Sequence, residues 1–238
     1  MTSTTRREIK HFSSLPHIWW GAKTLAGQRR YDRRFELFKK ICNPSKNSKI
    51  LEIGCGDGEF TKRLIILPSK IVAQDLTPKV IKKAKIRFKQ KNVKFEIGNA
   101  ESLNYKNNSF DIVCGISILH HINLRKALKE ARRVLKPNGQ IFFSEPNLLN
   151  PVIYAGLNLS FLRKRMEYSP DEKALLRWQS RDLLKEIGFR KINVFNYDFL
   201  HPSTPPFLIK YIEHLSNIFD KKPLIKEISG SLIINAKK

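Results

Sequence analysis

The stretch Ile50-Leu51-Glu52-Ile53-Gly54-Cys55-Gly56-Asp57-Gly58-Glu59-Phe60 decides how this chain is read. Lys49 to Ile53 has the length and apolar character of a strand buried on both faces, as in a parallel sheet. The strand ends beside an acid, and three glycines then alternate with other residues. Glycines let the backbone turn sharply and approach a ligand with no Cβ in the way. Residues 59–67 read as a helix start, so the loop is a strand–loop–helix junction. In open α/β sheets that junction is where ligands bind, beyond the carboxyl end of the strand.

The spacing is G-x-G-x-G, whereas the dinucleotide fingerprint is G-x-G-x-x-G with a pyrophosphate on the helix N-terminus. On this loop alone, a dinucleotide, another cofactor and a ligand-free turn all stay open.

Downstream, Ile71-Val72-Ala73-Gln74-Asp75 is a second apolar strand ending in an acid, about twenty residues beyond the loop. That spacing lets a carboxylate accept hydrogen bonds from ribose hydroxyls. Thr77 and Pro78 then read as the N-cap and first position of a helix. Val93 to Ile97 alternates as a third strand and leads to Gly98-Asn99-Ala100-Glu101. Ser109 to Gly115 is a fourth strand, leading to Ile116-Ser117-Ile118-Leu119-His120-His121. The spacing predicts an amphipathic helix over Ala127–Leu135, stopped by Pro137-Asn138-Gly139, and a fifth strand from Gln140 to Ser144. This β-α alternation predicts a parallel sheet with helices on both faces.

A chain of 238 residues suits one α/β domain with additions, and 41% hydrophobic residues are enough for a core. No stretch approaches the roughly 18 apolar residues of a membrane span, and the first residues lack an apolar signal core. Cys42, Cys55 and Cys114 form neither a disulfide framework nor a metal knuckle, which fits a reducing cytoplasm. The formal charge of +24 is compatible with RNA or an anionic membrane surface as partner. The densest basic run, Lys79 to Lys94, places Val80, Ile81, Ala84 and Phe88 at helical spacing, so its charges mark a solvated outer face.

Five features stand in the order and spacing of class I S-adenosylmethionine (SAM) methyltransferases. They are Leu51-Glu52-Ile53-Gly54-Cys55-Gly56-Asp57-Gly58, Asp75, Gly98-Asn99-Ala100-Glu101, Ser109-Phe110-Asp111, and Leu135-Lys136-Pro137-Asn138-Gly139-Gln140. Over residues 48–145 the chain resembles that family, and most of all its quinone-biosynthesis branch. The resemblance implies a Rossmann-like fold: a seven-stranded, mostly parallel sheet with the last strand antiparallel and helices on both faces. Lys191–Tyr197 and Ser231–Ala236 would be the sixth and seventh strands. It also implies SAM as cofactor. Glu52, Gly54, Cys55, Gly56 and Gly58 would surround its methionine and ribose parts, with Asp75 on the ribose hydroxyls and Leu76 on the adenine. Asn99, Ala100 and Glu101 would face the adenine, Asn99 standing where the family usually has Asp. Ile116 and Ser117 would border the methionine end.

Methyl transfer is an in-line displacement for which the protein aligns the partners and excludes water. A base is needed only where the acceptor loses a proton. His120 and His121, beyond the fourth strand, are the candidates. Some relatives bind a metal here through acids and a histidine; with Ser117, His120 and His121 in their place, no metal is expected. Residues 1–46 read as an N-terminal helical lid segment, in which Tyr31, Phe35, Phe38 and Ile41 share a helix face. The methyltransferase domain would then occupy 47–238, with cap insertions near 146–172 and 199–228. Trp19, Trp20, Tyr154 and His201 are candidates for the lid and acceptor pocket, with Tyr168 beside them. The caps are apolar with a basic fringe, which suits a small-molecule or lipid-like acceptor methylated at O or C and a cytoplasmic enzyme able to sit on a membrane. They would equally suit a dimer interface or ordinary extra core. An RNA methyltransferase and a SAM-binding protein without catalysis are the alternatives.

Overall fold

A computed structural model describes residues 22–165, 168–169 and 172–238. Seven strands form one sheet: β1 (Lys49–Ile53), β2 (Lys70–Asp75), β3 (Val93–Ile97), β4 (Phe110–Ile116), β5 (Leu135–Pro146), β6 (Arg190–Tyr197) and β7 (Ser231–Lys237). Their order is β3-β2-β1-β4-β5-β7-β6. The pairs among β1 to β5 are parallel, and β7 runs antiparallel to both β5 and β6. The strand order reverses between β1 and β4, so the crevice at their carboxyl ends is where such a sheet binds its ligand.

Both faces of the sheet are buried, which is why the central strands are apolar without alternation. Ile50, Ile71 and Phe142 join a cluster on one side, while Leu51, Val113 and Phe143 join one on the other. The helix α1 (Leu25–Cys42) starts at Thr24, whose hydroxyl accepts the Gly27 N–H at 3.0 Å, and ends in the left-handed Asn43. Its Phe38 is fully buried, with ring centroids 5.4 Å from Phe142 and 6.0 Å from Phe60. This part of the leader is therefore bolted into the core. Truncating such a phenylalanine costs about 3–5 kcal/mol. Trp19 and Trp20 lie outside the described residues.

The short α2 (Thr61–Leu64) follows the glycine loop. In α3 (Pro78–Arg87) Ile81 and Ala84 face the core, and most of its basic residues face solvent. The helix α4 spans Leu124–Val134, earlier than the spacing predicted at both ends. It starts there because Asn123 caps it, accepting the Lys126 N–H at 3.0 Å. It ends there because Leu135, fully buried, pairs with Phe110 in the sheet. Pro137-Asn138-Gly139 thus forms an irregularity inside β5, with Asn138 at φ 62°, rather than a stop outside it.

The two insertions leave from the carboxyl ends of β5 and β6. The first carries α5 (Pro151–Asn158) and α6 (Ser160–Arg165), followed after the insertion by α7 (Arg177–Ile187). The second carries α8 (Pro206–Phe219) and α9 (Pro223–Lys226). The Asn150 side-chain amide donates to the Ile228 carbonyl at 2.8 Å and joins the two insertions. The second is also tied to α1: Arg30 and Arg33 both reach Asp198, and Arg33 also pairs with Asp220.

Candidate active site

A cavity of about 1140 Å³, including its open mouth, lies at the β1–β4 crevice. Gly54, Gly56 and Gly58 all have positive φ. They differ in what surrounds them. A Cβ on Gly54 would come within 2.5 Å of Ile118, and one on Gly58 within 2.4 Å of Phe88. A Cβ on Gly56 would meet nothing within 4 Å. Gly56 is thus the glycine that opens onto ligand space, while Gly58 is absent from the cavity wall.

The β2 end is tied to the loop. Asp75 accepts the Gly56 N–H at 3.0 Å on one oxygen and the Thr77 N–H at 2.8 Å on the other. Burial pushes its carboxyl above the usual range, against these two bonds. Both oxygens retain acceptor capacity toward the cavity, which Asp75 lines. Glu52 lies behind the wall, not in it. It is 1% exposed and accepts the Thr61 hydroxyl at 2.6 Å. Burial raises its pKa to about 8, with the nearby Asp75 charge adding to the effect.

Asn99, Ala100, Glu101 and Leu76 also line the cavity. The Asn99 side-chain oxygen accepts the Glu101 N–H at 2.9 Å, so that lone pair is engaged locally. Cys55, Ile116 and Ser117 complete the set of expected cofactor residues that reach the cavity. Burial pushes the Cys55 thiol up, which keeps it protonated and unreactive. Ser117 holds φ 54°, a strained conformation for a non-glycine residue, and donates its N–H to Ser144 at 2.8 Å.

The two histidines part company. His121 lines the cavity. His120 is buried, its Nδ1 2.6 Å from Glu145 Oε2. Glu145 also accepts the N–H groups of Ile118 and Leu119 at 3.1 and 3.0 Å, so it is an acceptor and His120 the donor. His120 Nε2 then faces Glu172 at 3.7 Å. The His120 and His121 rings are 3.9 Å apart, and His121 Nδ1 lies 3.5 Å from the Ser169 hydroxyl. His120, His121 and Glu172 offer ligand atoms within 4.8 Å of one another, a grouping that could hold a divalent ion. Glu172 comes from the first insertion, far along the chain, so spacing near the histidines gave no sign of it.

Tyr154 is 57% exposed on α5, and neither it nor His201 lines the cavity. Ala22, Tyr31, Asp57, Glu59, Gln74, Thr77, Val80, Ile118 and Ile122 line it without having been singled out. Asp57 and Glu59 stood inside the opening motif, at the positions between and after its glycines. Tyr31 shares its helix face with core residues, and periodicity cannot separate a cavity wall from a core.

The cavity suits SAM. The wall contains four acids, Asp57, Glu59, Asp75 and Glu101, and no lysine or arginine among the described residues, in a chain of net charge +24. From outside it Arg87 engages Glu59 at 2.6 Å and Lys23 lies 3.7 Å from Asp57, so the negative charge of the wall rests on Asp75 and Glu101. Negative potential of this kind favours a sulfonium and an ammonium over a polyphosphate. Gln74 Nε2 is buried at the cavity without a hydrogen-bond partner among the described residues, a donor that a ligand acceptor would satisfy.

Fold and crevice define a Rossmann-like, SAM-binding architecture. Residues 51–143 match the family of the methyltransferase domain. The chain is 26% identical over 224 residues to a ubiquinone biosynthesis O-methyltransferase of Pelagibacter ubique, covering 85% of this chain and 92% of that one. It is 28% identical over 184 residues to a demethylmenaquinone methyltransferase of Chlorobaculum parvum, covering 68% and 73%. Among solved structures, phosphoethanolamine N-methyltransferase 2 of Haemonchus contortus with bound SAM shares the fold. Its TM-score is 0.64 at 18% identity, over 87% of this chain and 52% of that one. Residues 51–143 thus match a methyltransferase domain, the sheet around them has the fold of the Rossmann-like SAM methyltransferases, and SAM is the cofactor this supports.

Proposed function

We propose that the protein methylates an oxygen or carbon of a small, lipid-like acceptor of the quinone-precursor kind, working at the face of a membrane. The observation that carries the cavity's role is its acidic wall inside a basic protein. The likeness to quinone-biosynthesis methyltransferases supports the acceptor class. SAM supplies an electrophilic methyl group on a sulfonium. Asp75 would hold the ribose hydroxyls, Gly54, Cys55 and Gly56 would let the backbone close on the cofactor, and Leu76, Asn99 and Ala100 would hold the adenine. Ile116 and Ser117 would lie near the methionine end.

His121 is the candidate base. As the histidine on the cavity wall, its ring can take the proton of an acceptor hydroxyl. His120 acts behind it: Glu145 fixes its tautomer, and its ring backs His121. The Ser169 and Glu172 contacts bring the first cap to the same point. The leader would cover the cavity from the side of Ala22 and Tyr31.

Calorimetry with SAM and its demethylated product tests the donor site. Labelled methyl transfer to a lipid extract, set against total RNA, tests the acceptor. Label confined to RNA would refute the reading.

A further inference from the structure

We propose that the edge formed by the two insertions is a docking face for an anionic lipid bilayer. The helix α8 is apolar on two opposite sides. Ile209 and Ser216 face inward and are buried. Phe207, Tyr211 and Ile218 fall together on the other side and are 81%, 61% and 41% exposed. A helix buried on one side has no folding reason to carry a second apolar stripe in water.

The turn after α8 sharpens the point. Lys221 and Lys222 are exposed and make no ion pair among the described residues, and Leu224, 88% exposed, follows them through Pro223. Lysines beside a projecting leucine match a bilayer whose headgroups are anionic and whose interior begins a few ångströms deeper. Of the three acids in this insertion, Asp220 and Glu227 are engaged by Arg33 and Arg177, which leaves the half-buried Glu213 of α8 against Lys210, Lys221, Lys222 and Lys226. The first insertion adds Phe161, 68% exposed, beside Arg163 and Lys164.

Placement agrees with composition. Both insertions follow carboxyl ends of parallel strands, the edge at which the cavity opens. The Asn150–Ile228 bond joins them. A bilayer on this edge would bring an amphiphilic acceptor to the cavity mouth without passage through water.

The inference rests on the lipid-like reading of the acceptor only for its purpose, and its test needs no acceptor. The full chain is sedimented with vesicles of phosphatidylcholine alone and of phosphatidylcholine mixed with phosphatidylglycerol, at low and high salt, alongside calorimetry with SAM. We expect partition onto the mixed vesicles that weakens with salt, and none onto phosphatidylcholine. Phe207→Ser with Leu224→Ser should lower that partition about tenfold or more, and Lys221→Glu with Lys222→Glu should remove it, both with SAM affinity unchanged. Absence of wild-type partition, or variants that partition like wild type, would overturn the proposal. So would a dimer by light scattering that the serine pair converts to monomer while vesicle binding stays. Loss of vesicle binding with SAM binding intact would leave the methyltransferase reading standing; failure to bind SAM would undo that reading instead.

Discussion

Two regions meet at the carboxyl edge of the sheet. The cavity wall gathers Asp57, Glu59, Asp75 and Glu101 around glycine backbone, without lysine or arginine among the described residues. The insertions beside it present Phe207, Leu224 and Phe161 to solvent, with lysines around them. The wall is fixed by mutual hydrogen bonds from three strand ends, whereas the insertions hang from β5 and β6 and meet through a few side chains. The glycine loop and its acids therefore sit in the part of the fold with least freedom to vary, and the caps in the part with most. The overall charge of the chain does not describe the wall.

The largest effect should come from the residue where the two regions touch. His121→Ala is expected to lower kcat about 10²- to 10⁴-fold for a hydroxyl acceptor, with SAM affinity unchanged by calorimetry. A carbon acceptor that needs no base would show a much smaller drop, which makes the variant a test of the atom methylated. His120→Ala should lower Tm as well, since it strips Glu145 of a buried partner.

Within the wall, Gly56→Arg should weaken SAM binding about 100-fold or more, because it sets bulk and positive charge in the open side of the loop. The fold should survive, since only the left-handed φ is strained, at about 1–2 kcal/mol. Intact SAM binding in this variant would remove the glycine loop from the site. Asp75→Ala should cost roughly 10- to 100-fold in SAM affinity, about 1.5–3 kcal/mol, through lost charged hydrogen bonds.

A separate effect, on stability and not on binding, concerns Glu52. In the folded chain it keeps its proton up to about pH 8, while the unfolded chain releases it near 4.5. Between these values the unfolded state binds fewer protons, so stability falls as pH rises, by up to about 1.4 kcal/mol per pH unit, and the effect levels off above pH 8. Glu52→Gln, which keeps an oxygen for Thr61, should flatten Tm across that window. An unchanged slope would show that Glu52 ionises normally and is not sealed behind the wall.

The parallel sheet and the crevice were legible because glycines and acids at fixed offsets from apolar strands specify a junction locally, whereas the antiparallel β7 followed only from the family resemblance and the strand order was not read. What the same residues do within the junction was less legible. Gly54 and Gly58 answer to Ile118 and Phe88, side chains dozens of residues away. Glu52 and Asp75 each end or adjoin an apolar strand, yet one faces the core and the other the cavity, a distinction that depends on pleat and on Thr61. Adjacent histidines could not be told apart until Glu145, from β5, drew one of them inward. The early end of α4 follows from Leu135 pairing with Phe110, a long-range contact that outweighs the Pro-Asn-Gly turn signal.

Ile118 has a wider consequence. It packs directly over Gly54 and Gly115, on the loop that carries both histidines. A descendant of this chain can acquire a new acceptor by lengthening or recomposing its caps, since no glycine of the donor loop constrains them. It cannot shift the histidine loop without dislodging the donor loop through Ile118. Diversification is thereby channelled into the caps, while the spacing between the glycine loop and the histidine loop is inherited unchanged.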